Sequence, residues 1–400
     1  MLGILTANII KKEDVFMNTL VIVLIAVVVL GLGYVLYGRR IAKKWGIDPK
    51  AETPAVKYND GKDYVPTNGW TVFSHQFSSI AGAGPVTGAI QAAVFGWLPV
   101  LLWILIGGVF FGAVTDFGAL YASVKNQGKS MGMLIEKYIG KLGRKLFLLF
   151  CWLFSLLIIA VFADMVSGTF TAFDAVTGAK LPAASTNGSA GMVSIMFMLF
   201  AVVFGLIQKK FNFSGWKEFV LGVVFIVVSF AIGTKVPIIL GKDGWSYIVF
   251  AYIFVAAIMP IWLMKQPRDY MTTIMFVCMI AGAALGLIIG YPTMNLPVFT
   301  GFKNEQLGTM FPILFVTVAC GAVSGFHSLV SSGTSSKTIA NEKDMLKVGY
   351  GAMILESVLA VLALCVAGAA AKNGIPAEGT PFQIFSRGVA GFFEKMGLSV

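Results

Sequence analysis

Ionisable side chains inside long apolar stretches are the first sign of chemistry in this sequence. A charged side chain costs about 2.5–3.5 kcal/mol at the centre of a membrane helix, so each one needs a physical reason. The residues of this kind are His75, Asp116, Asp164, His327 and Glu356. Because histidine titrates near neutral pH, they predict a proton or cation relay. The alternative is that they only form hydrogen bonds to neighbouring helices or reach the lipid headgroups.

Hydroxyl groups form a second pattern. Ser324, Ser328, Ser331 and Ser335 recur at intervals of four, three and four residues, which predicts that they share a narrow arc of one helix. Hydroxyl and free carbonyl oxygens are the ligands that a small hard cation prefers. The row therefore predicts a binding site, although close helix packing through small residues also uses serine.

The stretch HQFSSIAGAGPVTG (75–88) is not expected to form one continuous helix. Pro85 has no N–H, its ring clashes with the carbonyl of Ala81, and Gly82, Gly84 and Gly88 weaken a helix further. Non-helical backbone at membrane depth is tolerated only inside protein or around a water-filled cavity. Secondary transporters place substrate and ion sites at such breaks. A proline-kinked helix without a ligand is the alternative.

These residues lie in a chain with the composition of a membrane protein. Of its 400 residues 57% are hydrophobic and 12% are charged, and the mean hydropathy is +0.84. Stretches of about 20 apolar residues, each long enough to cross a bilayer, recur along it. The sequence predicts an all-α polytopic membrane protein with ten spans, at about 18–37, 78–95, 97–122, 146–170, 191–208, 218–234, 245–264, 271–291, 309–331 and 349–371.

Lysine and arginine alternate across these spans. The loops on one side hold 21 of them and the loops on the other side hold seven. The positive side is expected to be cytoplasmic, which leaves the N-terminus outside. The net charge of +11 is thus explained by topology, and no nucleic-acid partner is predicted. The four cysteines are far apart within apolar spans, which indicates packing rather than a metal site.

The seventh span repeats a feature of the second. FVAAIMP, ending at Pro260, resembles IAGAGP, ending at Pro85, and the two spans lie five apart with opposite predicted directions. This spacing predicts a five-plus-five inverted repeat. We expect a tail over 1–17, a first helix and basic loop over 18–77, one repeat over 78–234 and a second over 245–400. The second is expected to be incomplete at its C-terminal end.

A charged pair follows the seventh span. Arg268 and Asp269 lie in a short predicted cytoplasmic turn. Such a pair usually caps the following helix. A gating ion pair is the functional alternative.

Several stretches together resemble the carbon starvation protein A family of bacterial inner-membrane transporters. They are TPAVKYNDGKDYVPTN (53–68), HQFSSIAGAGPVTG (75–88), FGAVTDF (111–117), IMPIWLMKQPRDY (258–270), CGAVSGFHSLVSSGTSSK (320–337) and VGYGAMILES (348–357). The resemblance implies uptake of peptides or pyruvate when carbon is scarce, with a LeuT-like inverted-repeat fold. It also implies that 82–85 is the unwound part of the first core helix, facing the ninth span across a cation site.

Two departures from the family pattern matter. Family members typically carry two consecutive histidines where this chain has His75 and Gln76. A relay through both histidines is therefore not expected here. Family chains also usually continue well past residue 400, so part of the site is expected to lie outside this sequence.

The resulting hypothesis is cation-coupled uptake by alternating access, without a cofactor and without an ATP-binding loop. The residues assigned to substrate are Gly82, Ala83, Gly84, Pro85, Pro260 and Ser328. The residues assigned to a coupling sodium ion or proton are Ala81, Ser331, Ser332, His75, His327, Asp116 and Glu356. A passive channel for small polar solutes is the main alternative, and a hydrolase built on His327 is a weaker one. The oligomeric state and the choice between sodium and proton stay open.

Overall fold

The structure is a computed structural model that is mostly helical. The residues that it describes are 18–174, 177–211, 215–260, 263–305, 307–395 and 397. The predicted N-terminal tail, 1–17, lies outside these residues, as does part of the end of the predicted second repeat.

The described helices are numbered in chain order. The first eight are α1 (Thr19–Lys44), α2 (Pro54–Lys57), α3 (Gly69–Ile80), α4 (Gly84–Ala92), α5 (Trp97–Lys125), α6 (Met131–Tyr138), α7 (Lys141–Phe170) and α8 (Ala184–Phe211). The others are α9 (Trp216–Lys235), α10 (Lys242–Ile258), α11 (Lys265–Gly290), α12 (Met310–Thr317), α13 (Ala319–Ala322), α14 (Gly325–Gly333), α15 (Glu342–Ala370) and α16 (Pro381–Lys395). Strands β1 (Lys303–Asn304) and β2 (Gly308–Thr309) pair antiparallel, with Lys303 opposite Thr309.

Within the described part, seven helices are long and apolar enough to cross a membrane: α1, α5, α7, α8, α9, α11 and α15. These helices support a multi-pass membrane protein. The other three predicted spans, 78–95, 245–264 and 309–331, are interrupted or shortened. The first divides into α3 and α4, and the second ends at Ile258, before Pro260. The third is three short helices, so the expectation of one continuous helix there is wrong.

The chain forms two compact units. One contains the described residues up to Leu134 and from Ile280 onward, and the other is Ile135–Met279. In the first unit α15 packs against α1, α4, α5 and α16. Its residues from Leu359 to Val366 are all buried, which explains why this helix is apolar on every side. A central helix of this kind can hold a polar group away from both lipid and water.

The unit Ile135–Met279 is built from long helices. In it α8 packs along α9, and α7 packs along α10. Ala201, Phe204 and Met271 form a small core, while most of α7 carries exposed apolar side chains suited to contact with lipid. The ten-span count and the inverted repeat over 78–234 and 245–400 stay predictions.

Candidate functional site

The predicted break before Pro85 is present. Helix α3 ends at Ile80, and Ala81 leaves the helical region with φ −75° and ψ 59°. The Gly82 N–H then turns back to donate to the Ile80 carbonyl at 2.7 Å. Pro85 lies in the first turn of α4, where the missing N–H costs nothing because first-turn amides have no partner within the helix. The prediction of a helix break before Pro85 is therefore confirmed, but the break covers 81–83 and not 82–85, because Gly84 and Pro85 already belong to α4.

A second interruption lies against the first. Between α13 and α14, Val323 and Ser324 are extended, with φ values of −159° and −129°. The two breaks approach closely at glycines: a Cβ added to Gly84 would overlap the Cys320 sulfur, and one added to Gly321 would lie 3.9 Å from Pro85 Cα. Two pieces of non-helical backbone thus meet in the first unit, where each can be surrounded by protein.

A glutamine connects the first broken helix with the serine row. Gln76 on α3 donates through Nε2 to Ser331 Oγ at 2.9 Å, and Ser335 Oγ donates to Gln76 Oε1 at 2.6 Å. All three side chains are fully buried. Of the four serines in the row, only Ser328 and Ser331 lie within α14, since Ser324 precedes it and Ser335 follows in a short 3₁₀ turn. The interpretation of the row as one helical face is corrected accordingly.

Three of the predicted ionisable residues converge on one point. The ring of His327, on α14, lies between Asp116 of α5 and Glu356 of α15. Its Nδ1 is 3.0 Å from Asp116 Oδ2, and its Nε2 is 3.3 Å from Glu356 Oε2. None of the three side chains is more than 1% exposed. We call Asp116, His327 and Glu356 the buried triad.

The triad leaves acceptor atoms unused. Asp116 Oδ1 and both Glu356 oxygens are buried without a hydrogen-bond partner, and the Nε2–Oε2 approach has the distance of an ion pair but not the geometry of a hydrogen bond. Among the described residues, no ion pair from a lysine or arginine reaches Asp116 or Glu356. Next to Glu356, Ser357 Oγ donates to the Gly321 carbonyl at 3.0 Å, which ties α15 to the second break. An unpaired buried carboxylate is costly, and protonation of the carboxyl group lowers that cost.

Comparison with known proteins gives the chain its family. Residues 18–396 match the sequence profile described as "Carbon starvation protein CstA". The chain belongs to the carbon starvation protein A family. It is 37% identical over 365 residues to "Pyruvate/proton symporter BtsT" of Escherichia coli (strain K12), covering 88% of this chain and 49% of that protein.

Other relatives carry a different transporter name. The chain is 36% identical over 370 residues to "Peptide transporter CstA" of the same strain, covering 87% of this chain and 50% of the relative. A protein of that name from Helicobacter pylori (strain ATCC 700392 / 26695) is 36% identical over 383 residues, with coverages of 92% and 53%. The chain thus spans about half the length of these relatives. They are named as transporters, not enzymes, and no solved structure matches the chain.

In this member of the CstA family, the other predicted site residues fall into separate places. His75 precedes Gln76 on α3 and is partly buried. It is not a member of the buried triad, in which both ring nitrogens of His327 face the carboxyl groups of Asp116 and Glu356. Ala81 is fully buried at the break, and Gly82 is exposed. Gln76 was not predicted as a site residue, because an amide does not titrate; its position next to His75, where family members typically carry a second histidine, was the available signal.

The remaining assignments of the CstA-family chain lie in the unit Ile135–Met279. Pro260 is exposed there, just after α10. Arg268 Nη2 pairs with Asp269 Oδ1 at 2.9 Å and its Nη1 donates to the Tyr252 hydroxyl at 3.2 Å. Asp164 pairs with Lys242 at 2.6 Å. The roles predicted for Pro260 in binding and for Arg268 and Asp269 in gating stay predictions.

The two serines predicted to bind a coupling ion already have hydrogen-bond partners in the protein. Ser331 accepts from Gln76, and Ser332 Oγ donates to the Ser328 carbonyl at 2.8 Å while accepting from the Met131 amide at 3.2 Å. These hydroxyls are engaged in protein hydrogen bonds. Across the described residues, no group of three or more His, Cys, Asp or Glu side chains is arranged to hold a metal ion. The arrangement can bind and release protons at the buried triad.

Proposed function

We propose that this chain forms part of a proton-coupled transporter that imports small organic nutrients, peptides or pyruvate, by alternating access across the bacterial inner membrane. The observation that carries the proposal is the fully buried His327 between Asp116 and Glu356, beside two facing breaks in membrane helices. The relative named as a pyruvate/proton symporter supports proton coupling. The relatives named as peptide transporters support the wider substrate range.

Charge balance favours a proton as the coupling ion. Burial of a net charge in the interior of a membrane protein is unfavourable. The triad is neutral only when it holds two ionisable protons, either as an imidazolium, one carboxylate and one carboxylic acid or as a neutral imidazole and two carboxylic acids. Loss of one proton leaves a net negative charge, which a conformational change must then expose or neutralise. Glu356 is the residue we assign to the transported proton, because neither of its oxygens has a hydrogen-bond partner.

The substrate is assigned to the helix breaks. Backbone groups of Gly82, Ala83 and Gly84, beside Pro85, are not committed to a continuous helix. Helix α4 begins at this break, and the positive end of its dipole favours a carboxylate, which both pyruvate and peptides carry. Ser328, on the facing element α14, supplies a hydroxyl. The roles of Pro260 in substrate binding and of Arg268 and Asp269 in gating stay proposals of their own, as does the inverted repeat over 78–234 and 245–400.

The sodium alternative uses the same region. Carbonyl oxygens near Ala81 and Gly82, together with Ser331 and Ser332, would form that site. A sodium ion at this site requires Ser331 to give up its hydrogen bond with Gln76. It also requires Ser332 to give up its hydrogen bonds with the Ser328 carbonyl and the Met131 amide. We therefore rank it second. The proposed topology has the N-terminus outside. The coupling proton is proposed to enter together with the substrate.

The driving force is sufficient for scavenging. A membrane potential of 100 mV is worth about 2.3 kcal/mol for each charge moved, which is roughly fifty-fold accumulation. The test is uptake of labelled pyruvate and of a labelled dipeptide by the full-length protein in proteoliposomes. A proton gradient and a sodium gradient are imposed separately. We expect the proton gradient alone to drive accumulation.

Variants separate coupling from binding. Glu356→Gln should abolish accumulation driven by the proton gradient but retain exchange of labelled for unlabelled substrate. Glu52→Gln is the matched control, because Glu52 is an exposed glutamate outside the triad. Accumulation driven by sodium in both proteins would refute the proton assignment. Flux that ignores both gradients would support the passive channel.

A further inference from the structure

A cavity in the first unit lies well away from the buried triad and from both helix breaks. It is formed by the end of α15, the loop 371–380 and one side of α16, and its volume is about 650 Å³. Ala370, which lines it, follows Glu356 by 14 positions on α15, a rise of about 21 Å at 1.5 Å per residue. The volume falls in the range of small-molecule binding sites. No residue assigned above lines this cavity.

Hydrogen bonds at both ends hold the loop 371–380 in place. The Lys372 N–H donates to the Ile375 carbonyl at 3.1 Å, and the Ile375 N–H donates to the Lys372 carbonyl at 2.9 Å. At the start of α16, the Thr380 N–H donates to Gln383 Oε1 at 3.0 Å, and the Gln383 N–H donates to Thr380 Oγ1 at 3.3 Å. This reciprocal pair is a capping box. The loop therefore presents its side chains to the cavity from a fixed backbone.

Three charged side chains line the cavity: Lys372, Glu378 and Arg387. All three are exposed, and none takes part in an ion pair with another residue that the structure describes. Arg387 Nη1 donates to the Glu378 backbone carbonyl at 3.1 Å, which leaves further guanidinium N–H groups for another partner. Ile384 and Phe392 contribute to an apolar wall beside these charges. The cavity thus combines two available cations, one available carboxylate and an apolar surface.

We propose that this cavity binds a short peptide before the peptide reaches the helix breaks. The inference rests on the proposed function and assigns peptides to a second, outer site. At neutral pH a free peptide carries a carboxylate at one end and an ammonium group at the other. Arg387 and Lys372 bind the carboxylate, since a guanidinium can contact both of its oxygens, and Glu378 binds the ammonium group. Pyruvate has no ammonium group and would leave Glu378 unpaired, so the charges favour a peptide.

The location also suits a first binding step. In the proposed topology the C-terminal end of α15 lies outside, where the substrate arrives. The other end of α15 begins in the basic cytoplasmic region, and the triad lies between the two ends. A peptide bound near Ala370 would therefore be on the outer side of the triad.

Protection of a reporter thiol tests the binding site directly. Ala377 lines the cavity and is partly exposed, so Ala377→Cys in the full-length protein should react with a maleimide. Mass spectrometry of the peptide that contains position 377 measures the rate. We expect alanyl-alanine to slow the reaction. N-acetyl-alanyl-alanine, alanyl-alanine amide and pyruvate each lack one of the two charges and should protect less.

Variants in the Ala377→Cys background separate the two charge contacts. Arg387→Gln should raise the alanyl-alanine concentration that gives half-protection about fivefold, as expected for one exposed charge pair. Glu378→Gln should weaken protection by alanyl-alanine but leave protection by the N-acetyl peptide unchanged, because that peptide has no ammonium group. Lys372→Gln should resemble Arg387→Gln. Lys303→Gln is its matched control, because Lys303 is an exposed lysine that does not line the cavity.

Uptake measurements distinguish this inference from the proposed function. Arg387→Gln should raise the KM for dipeptide uptake and leave the maximal rate unchanged. Protection at position 377 without gradient-driven uptake would refute the proposed function and leave the cavity assignment standing. Gradient-driven uptake without protection would refute the cavity assignment alone.

Three further outcomes would overturn the peptide site. A thiol at position 377 that does not react in the full-length protein would show that other parts of the protein cover the cavity. Equal protection by inorganic phosphate and by alanyl-alanine would show a general anion site. Unchanged protection in both Arg387→Gln and Glu378→Gln would show that these charges do not bind the peptide.

Discussion

Glu356 Oε2 lies 3.3 Å from His327 Nε2, yet no hydrogen bond satisfies either oxygen of that carboxyl group. His327 is therefore the one cationic partner that the described residues offer to Glu356, and it is shared with Asp116. The stability of the first unit and the proposed coupling both depend on this imidazole. Replacement of any member of the triad should consequently have different effects at different pH.

His327→Ala should destabilise the full-length protein strongly at pH 8. It leaves two carboxyl groups buried without a cation, and breaking a buried ion pair by removal of one partner costs about 3–5 kcal/mol. At pH 5 protonation of the carboxyls removes part of the charge, so the loss should be smaller. Thermal unfolding in detergent at both pH values measures this.

The triple variant His327→Ala, Asp116→Asn, Glu356→Gln is the control for that experiment. It removes the ionisable groups together, so its stability should be higher than that of His327→Ala at pH 8 and should change little with pH. Equal unfolding temperatures for the single and triple variants at pH 8 would contradict the charge explanation.

Gln76→Ala should destabilise the contact between α3 and α14. The change leaves the fully buried hydroxyls of Ser331 and Ser335 without their amide partner, which costs about 1–3 kcal/mol for each group that finds no other partner. Gln91→Ala is the control, because Gln91 is exposed on α4. Denaturant unfolding of both variants in the same detergent measures the difference. Similar losses for the two would show that the buried amide is not what joins these elements.

The first break could be predicted from the sequence and the second could not. Pro85 cannot donate a backbone N–H, so its effect on a helix is local and independent of the fold. Val323 and Ser324 carry no such signal, and the glycines around them are also common in continuous membrane helices. Their extended conformation is stabilised by tertiary contacts, such as the Ser357 hydrogen bond to the Gly321 carbonyl.

The members of the buried triad could also be predicted from the sequence, whereas their convergence could not. Asp116, His327 and Glu356 were each identified because ionisable groups are rare in apolar stretches. Their convergence depends on the packing of α5, α14 and α15. Asp116 and His327 are 211 positions apart in the sequence, and no periodic pattern spans that separation. Likewise α10 ends at Ile258 rather than 264, because the residue before a proline is disfavoured in a helix.

Gly84→Ala should destabilise the meeting point of the two breaks. An added Cβ would overlap the Cys320 sulfur and lie 2.6 Å from Cys320 Cβ, and overpacking of this kind costs about 1–3 kcal/mol. Gly82→Ala should be tolerated much better, because its added Cβ would have no neighbour closer than 4.0 Å, the distance to the Ile80 carbonyl oxygen. Thermal unfolding compares the two. The double variant Gly84→Ala, Cys320→Gly should recover part of the loss, and an absence of recovery would refute the steric explanation.

Lys125→Met should destabilise the protein more than Glu342→Gln. Lys125 Nζ is 2.7 Å and 2.8 Å from the two carboxylate oxygens of Glu342, which also accepts from the Asp48 amide at 3.0 Å. Glu342 is almost fully buried, whereas Lys125 is about one-third exposed. Loss of the lysine therefore leaves a buried carboxylate without a partner. Loss of the carboxylate leaves a cation that can reach water. The expected difference is about 1–2 kcal/mol by denaturant unfolding. The double variant should lose less than the sum of the two single variants, since both remove the same interaction. Equal losses for the two single variants, or strict additivity, would show that this ion pair does not join α5 to the start of α15.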